Sequence, residues 1–236
     1  MITRALSTTL QKHLSRNRQM IFLVGPRQVG KTTLATSFLK EIKPGWNYFN
    51  WDDPTQRKIL LQDVLPGRFS FSAEAQPIVV FDEIHKYVKW RNLLKGYYDK
   101  LKNTHQFLVT GSARLDYYRK GGDSLLGRYH YYRLHPLSLP EVSSKFSTTE
   151  MNRLFQFGGF PEPYLKQDLT SLKRWHRQRR ERIIYSDIRD LENVKEISNI
   201  ELLVQALPDR VGSPLSRKNL AQDLEVDFKT VEKWIT

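Results

Sequence analysis

The chain has 236 residues, 39% of them hydrophobic and 12% aromatic, enough for one well-packed domain and a smaller companion. No apolar run approaches the roughly 18 residues that span a membrane, and the opening segment MITRALSTTLQKHL lacks an apolar signal core. The absence of cysteine removes disulfides and thiolate metal sites and fits a reducing, cytoplasmic setting.

The net charge of +13 is unevenly spread. Residues 1–145 hold 23 Lys/Arg against 11 Asp/Glu, whereas residues 146–236 hold 15 against 14. The field that attracts polyanions, DNA among them, therefore belongs to the first part of the chain.

The first periodic element is MIFLVG, residues 20–25, a short apolar run that reads as a buried strand. GPRQVGKTTL follows from Gly25, and KTTLATSFLK, residues 31–40, reads as a helix with Leu34, Phe38 and Leu39 on one side. Strand, glycine-rich loop and helix give the context in which G-x-x-x-x-G-K-[ST] holds phosphates. Glycine lets backbone N–H groups turn inward around anionic oxygens, and a helix N-terminus adds its positive end. Gly25, Pro26, Arg27, Gln28, Val29, Gly30, Lys31, Thr32 and Thr33 are the candidate cradle for ATP. Lys31 would neutralise the β- and γ-phosphates, and the Thr32 hydroxyl would serve Mg²⁺.

A second strand is expected over 46–50 and a helix near 55–62. In NWDDP, residues 50–54, Asp52 and Asp53 read first as a turn and helix cap before Pro54, and second as contacts to a metal or effector. PIVVFDEIHKY then gives an apolar strand, Ile78 to Phe81, that ends in Asp82–Glu83. A carboxylate at that end of a parallel strand suits Mg²⁺, and the neighbouring Glu83 can polarise an attacking water. A helix over 88–102 leads to the strand 106–110, where Thr110, or failing it Ser112, would orient the water or touch the γ-phosphate. Arg128 precedes a strand over 129–134. It can reach a nucleotide bound by a neighbouring copy, or it can be a plain surface arginine. Strands alternating with helices predict a parallel α/β sheet covered on both faces. Ligands of such sheets sit at the carboxyl ends of the strands, where all these residues are expected.

GPRQVGKTTL, YFNWDDP, IVVFDEIHK, FLVTGSA, GRYHYYRLHPLSLPE and GGFPEPYL occur in that order. Together they resemble the AAA+-type predicted ATPases of bacteria and archaea, in which an ATPase core precedes a C-terminal domain of unknown function. The resemblance implies a P-loop core of five parallel strands, a helical lid and a winged-helix-like region. It implies Lys31 and Thr32 as the Walker A lysine and hydroxyl, Asp82 and Glu83 as the Walker B pair, Thr110 as the sensor and Arg128 as the arginine finger. Arg153 and Arg174 are candidates for a second sensor arginine. The family's C-terminal domain is expected to lie beyond residue 236.

The expected division is a core over 1–145, a lid over 146–205 and a partial winged-helix or helix-turn-helix segment over 206–236. GGFPEPY, residues 158–164, reads as a structural turn in the lid, with Gly158–Gly159 as a hinge in the alternative. Residues 171–194 read as one long helix with Leu172, Trp175, Ile183, Ile184, Ile188 and Leu191 inward and a basic outer face. That face is a solvated surface or a nucleic-acid contact. In residues 213–235, Ser216 caps a helix carrying Leu220, Ala221 and Leu224 inward, and Phe228, Val231 and Ile235 face inward from a second helix. The five basic and five acidic residues of 206–236 favour a packing or partner-binding role over DNA binding there. His130 and His135 point to opposite faces of a strand and form no metal site.

Two functions follow from these residues. One is an Mg²⁺-dependent ATPase that couples nucleotide state to movement of the lid and C-terminal elements, with Arg128 joining copies of the chain. The other is a slow ATP/ADP switch that recruits a protein or DNA partner with little turnover.

Overall fold

The apolar runs pair as one parallel sheet in the computed structural model, which describes residues 2–39, 47–62, 77–111, 125–143, 145, 147–188 and 197–235. The strands are β1 (Met20–Val24), β2 (Tyr48–Asn50), β3 (Ile78–Asp82), β4 (Gln106–Thr110) and β5 (Tyr129–Arg133). They lie in the order β2-β3-β4-β1-β5, and every pairing is parallel. The chain divides into two compact units, Met1–Gln167 and Asp168–Thr236.

Alternation along the strands builds two cores in the first unit. Met20, Phe22 and Val24 of β1, Val79 and Phe81 of β3, and Phe107 and Val109 of β4 face one side. There they meet α3 (Pro54–Leu61) through Leu60 and α4 (Trp90–Leu101) through Trp90, Leu94, Tyr97 and Tyr98. Phe81 is the centre of this layer, stacked with Phe49, Tyr97 and Phe107 at centroid distances of 6.2, 5.9 and 6.0 Å. Ile21, Leu23, Val80 and Leu108 face the other side, with Leu10 of α1 (Leu6–Arg16) and Leu34 and Ala35 of α2 (Lys31–Ser37). Central strands buried on both faces are what a parallel sheet requires.

The helix α1 repeats leucine at Leu6, Leu10 and Leu14, and Leu10 is buried in the second core. His13 helps fix it to the sheet: its Nε2 donates to the Gln19 carbonyl at 2.7 Å, and its Nδ1 accepts from the Tyr132 hydroxyl at 3.0 Å. Burial holds its pKa below the ordinary histidine value, consistent with this neutral tautomer.

After β5 come α5 (Leu139–Val142), α6 (Thr148–Phe157) and α7 (Pro161–Lys166). The first unit reaches Gln167, so α6 and α7, expected in a lid after residue 145, are grouped with the sheet. Gly159 passes close to the segment after β5. Its carbonyl accepts from Leu137 N at 2.6 Å, and a Cβ there would lie 2.5 Å from the Leu137 carbonyl oxygen. Gly159 is thus packed against that segment, whereas Gly158, with φ +73°, has open space where a Cβ would stand.

The second unit holds α8 (Leu169–Arg182), a π-helical turn over Ile183–Ile188, α9 (Ile197–Ala206), α10 (Arg217–Asp223) and α11 (Phe228–Ile235). Asp168 caps α8 by accepting from Ser171 N at 2.6 Å. Trp175 and Ile184 are buried; residues 189–194 of the expected long helix, Leu191 included, lie outside the described residues. Ser216 caps α10 by accepting from Asn219 N at 3.2 Å. Leu203, Leu220, Ala221, Leu224 and Val231 form a small core. Phe228, expected inward, is 45% exposed. It opens its helix, and Val226, whose N–H donates to the Ala221 carbonyl at 3.0 Å, and Trp234 pack against the core instead.

One glycine joins fold to site. Leu134 N donates to the Val24 carbonyl at 2.8 Å as β1 ends, and the chain turns at Gly25 with φ +148°. A Cβ on Gly25 would stand 2.3 Å from the Leu134 carbonyl oxygen. That neighbour is backbone held in the β1–β5 pairing, so it cannot step aside cheaply. Gly25→Ala should lower stability by about 3 kcal/mol, the scale of overpacking with backbone displacement, read as a fall in the urea midpoint.

Candidate nucleotide site

Parallel register brings the carboxyl ends of the strands into line: Asn50 lies opposite Asp82, Asp82 opposite Thr110, and Leu23 opposite Thr110. The loop 25–30 leaves the same edge. Gln28 and Gly30 both take positive φ, +64° and +96°, and Val29 is fully buried, which pins the loop to the core. Lys31 is 7% exposed, and its ammonium donates to the carbonyls of Gly25 at 2.9 Å and Pro26 at 2.8 Å. A buried ammonium needs such partners, and here the loop that it serves supplies them.

Asp82 is 3% exposed and gathers three hydroxyls. Thr32 donates to its Oδ2 at 2.8 Å, Tyr48 donates to the same oxygen at 2.7 Å, and Thr110 donates to Oδ1. Tyr48 was not legible as a site residue. Its ring packs beside the sheet's second core while its hydroxyl reaches the carboxylate, and the burial beside Asp82 pushes its pKa well up.

Glu83 turns out of line with φ +57°, its N–H donating to the Thr110 carbonyl at 3.2 Å. A left-handed glutamate costs of order 1 kcal/mol and aims the side chain away from the strand direction. Its Oε2 lies 3.4 Å from the Lys86 ammonium, which pairs with Asp52 at 2.5 Å. Burial pushes the Glu83 pKa up; Lys86 pulls against that, and the Asp82 charge reinforces it.

Lys31, Thr32 and Glu83 line a cavity of about 530 Å³ that is also bordered by Gly30, Asp52 and Lys86 and by Pro161 and Glu162 of α7. The volume is in the range of small-ligand sites, roughly 300–1,000 Å³.

Arg128 requires a correction. It precedes the first residue of β5, and Met20, the first residue of β1, pairs with Tyr129. Arg128 therefore lies at the amino-terminal edge of the sheet, not the carboxyl edge, about 17 Å from the phosphate loop at strand rise. There its Nε donates to Asp99 Oδ1 at 2.9 Å and Nη2 to Oδ2 at 3.2 Å. It does not reach its own chain's site. Asp53 is the N-cap of α3, accepting from Thr55 N at 2.8 Å, as the turn reading expects. Asp52 is instead at the cavity. Arg153 is paired with Glu150 at 2.6 Å. Ser112 lies outside the described residues. His135 falls beyond the end of β5, and no cluster of three or more metal-ligating His, Asp or Glu occurs among the described residues.

A second unread residue is Arg4. It is 9% exposed and donates from Nη1 to the Val29 carbonyl at 2.9 Å, from Nη2 to the His135 carbonyl and from Nε to Glu141 Oε1 at 3.0 Å. A lone arginine ahead of a helix gives no motif by which sequence could find it.

The donors around Asp82 are all oxygen, which fits a hard divalent cation held partly through substrate phosphates rather than an all-protein cage. The parallel sheet with its glycine-rich loop between β1 and α2 has the form of a P-loop protein of the AAA type. Residues 17–143, more than half of the chain, match the family model of an AAA domain, and the protein belongs to that family. Residues 148–236 match a domain of unknown function (DUF8612).

An uncharacterized protein of Methanocaldococcus jannaschii is 25% identical over 225 residues, covering 88% of this chain and 50% of its own length. One of Mycobacterium tuberculosis is 23% identical over 232 residues, covering 98% and 50%. The chain spans about half the length of these curated relatives. Among solved structures, a Walker-type ATPase of Pyrococcus abyssi aligns with TM-score 0.49 and 16% identity over 95% of this chain and 89% of that one. AMPPCP-bound DnaA from Aquifex aeolicus aligns with TM-score 0.47 and 14% identity over 98% and 84%.

The raised Glu83 pKa has a definite sign in stability. The folded state disfavours its ionised form, so its contribution is fully present below the unfolded value, near 4.5, and is lost as pH rises through the higher folded value. The melting temperature of the wild type minus that of Glu83→Gln should therefore fall as pH is raised through that window.

Proposed function

We propose that the protein is an Mg²⁺-dependent ATPase that hydrolyses ATP at the carboxyl edge of its sheet. The observation that carries this reading is the convergence of Thr32, Thr110 and Asp82 beside the Lys31 loop, with Glu83 next in the chain. An arriving triphosphate replaces the Gly25 and Pro26 carbonyls as partner of Lys31. Thr32 and Asp82 would hold Mg²⁺, which when bound would neutralise phosphate charge. Glu83 takes the proton of the water that attacks the γ-phosphorus, and ADP leaves with the bridging oxygen. Thr110, bonded to Asp82, keeps that carboxylate in place or turns to the attacking water. Coupling to the lid would begin at Pro161 and Glu162, which border the cavity.

Arg128 can act only on another copy's nucleotide, because its own site lies at the opposite edge of the sheet. In this reading it exchanges Asp99 for a neighbour's γ-phosphate, and assembly completes the catalytic constellation. Glu83→Gln should keep ATP binding and lower turnover by about 10²-fold or more, the scale of losing a general base. Turnover per chain should rise with protein concentration, and Arg128→Ala should abolish that rise while ATP affinity holds. Steady-state hydrolysis against a Lys31→Ala blank reads all three; unchanged turnover in Glu83→Gln rejects the assignment.

A second reading is an ATP/ADP switch that recruits a protein or DNA partner with little turnover. It is favoured by α8, where Lys173, Arg174, Arg177, Arg180 and Arg182 are exposed on a helix in the second unit. Lys173, Arg177 and Arg180 share a stripe at i, i+4 and i+7, which suits phosphates rather than bases. Replacing Arg177 and Arg180 by Gln should weaken duplex DNA binding equally for unrelated sequences and flatten its salt dependence, with a slope change of about 2 on the log–log plot. Fluorescence anisotropy at several salt concentrations checks this; affinity that ignores both the substitutions and the bound nucleotide removes the reading.

A further inference from the structure

We infer that Arg4, outside the matched AAA segment, is a positioning residue for the phosphate loop: it fixes the peptide that presents the Gly30 N–H to the nucleotide. The inference rests on the phosphate-binding reading of residues 25–33.

The peptide concerned joins Val29 to Gly30. No peptide bond among the described residues is cis, and in a planar trans peptide the C=O and N–H point in opposite directions. Arg4 Nη1 donates to the Val29 carbonyl at 2.9 Å in a buried setting. Holding that oxygen toward Arg4 turns the Gly30 N–H the other way, away from the guanidinium. Gly30 alone could not secure this orientation. It takes φ +96°, it has no side chain, and its peptide is free to flip wherever nothing holds the carbonyl.

Arg4 is itself over-determined. Its Nε donates to Glu141 Oε1 at 3.0 Å, and Nη2 donates to the His135 carbonyl. Glu141 is fixed in turn: Oε1 also accepts from Ala5 N at 2.9 Å, and Oε2 accepts from Ser138 N at 3.0 Å and from the Ser138 hydroxyl at 3.1 Å. Ser138 and Glu141 form the capping box of α5. The guanidinium is therefore a rigid fork between the phosphate loop and the segment that leaves β5. That segment continues to Leu137, whose N–H donates to the Gly159 carbonyl just ahead of α7. A planar fork with donors on three nitrogens makes this bridge; a lysine ammonium on a flexible stem cannot span the same three acceptors.

The test is ATP affinity at equilibrium, measured with Mg²⁺ by calorimetry on the whole chain, beside the nucleotide-free melting temperature. Lys31→Ala is the blank. Arg4→Ala should weaken ATP binding by about tenfold or more, the scale of a lost charge-assisted hydrogen bond. Arg4→Lys should weaken it less, and Glu141→Gln, which keeps the Val29 contact, least. A merely structural arginine lowers the melting temperature and leaves the affinity of the folded fraction alone. If folded Arg4→Ala binds ATP within about twofold of wild type, the inference is wrong. If that variant does not fold, Arg4→Lys decides, and wild-type affinity in it overturns the idea. If the wild type and Lys31→Ala bind ATP equally weakly, the phosphate-loop reading itself fails, and this inference with it. Tight wild-type binding with unchanged Arg4 variants discards only the role of Arg4.

Discussion

The carboxylate of Asp82 constrains the first unit more than any other group. It sits almost out of solvent at the end of β3, and a buried carboxylate is tolerable only when hydrogen bonds replace its water. The three donors come from three elements: Thr32 from α2, Tyr48 from β2 and Thr110 from β4. Satisfying one charge therefore fixes the helix after the phosphate loop, the edge strand and the neighbouring central strand against the same atom pair. A sheet slipped by one residue would turn these side chains to the other face and leave the charge without partners.

The same economy recurs at the two buried cations. Lys31 is satisfied by carbonyls of the loop it follows, and Arg4 by a carbonyl of that loop, a carbonyl beyond β5 and a capping glutamate. Neither is a surface ion pair of small value. Both use backbone oxygen, so they hold the path of the chain rather than one rotamer. A loop with positive φ at Gln28 and Gly30 has little shape of its own, and these two cations supply it.

The polarity of the sheet separates two kinds of residue. Loop, Asp82, Glu83 and Thr110 share the carboxyl edge, whereas Arg128 immediately precedes β5 at the amino edge and pairs with Asp99. Within one copy these groups cannot meet. Any joint action passes through a second copy, which makes assembly part of the proposed chemistry. The basic helix α8 belongs to the other compact unit, so its proposed contact with a polyanion draws on residues other than those of the proposed nucleotide site.

The sequence by itself determined the strand positions, the parallel class and the glycine-rich loop between strand and helix, because each rests on local rules: apolar runs, glycine torsions and fixed motif spacing. Asp53 as a cap and Ser216 as a cap belong to the same local class. Tertiary structure decided what depends on distant partners. Tyr48 became a ligand of the Asp82 carboxylate through strand register, Arg128 moved to the far edge through strand direction, and Phe228 gave up its inward place to Val226 and Trp234. Arg4 is the clearest case: its acceptors lie 25, 131 and 137 residues away, and no pattern along the chain encodes a hydrogen bond made across those separations.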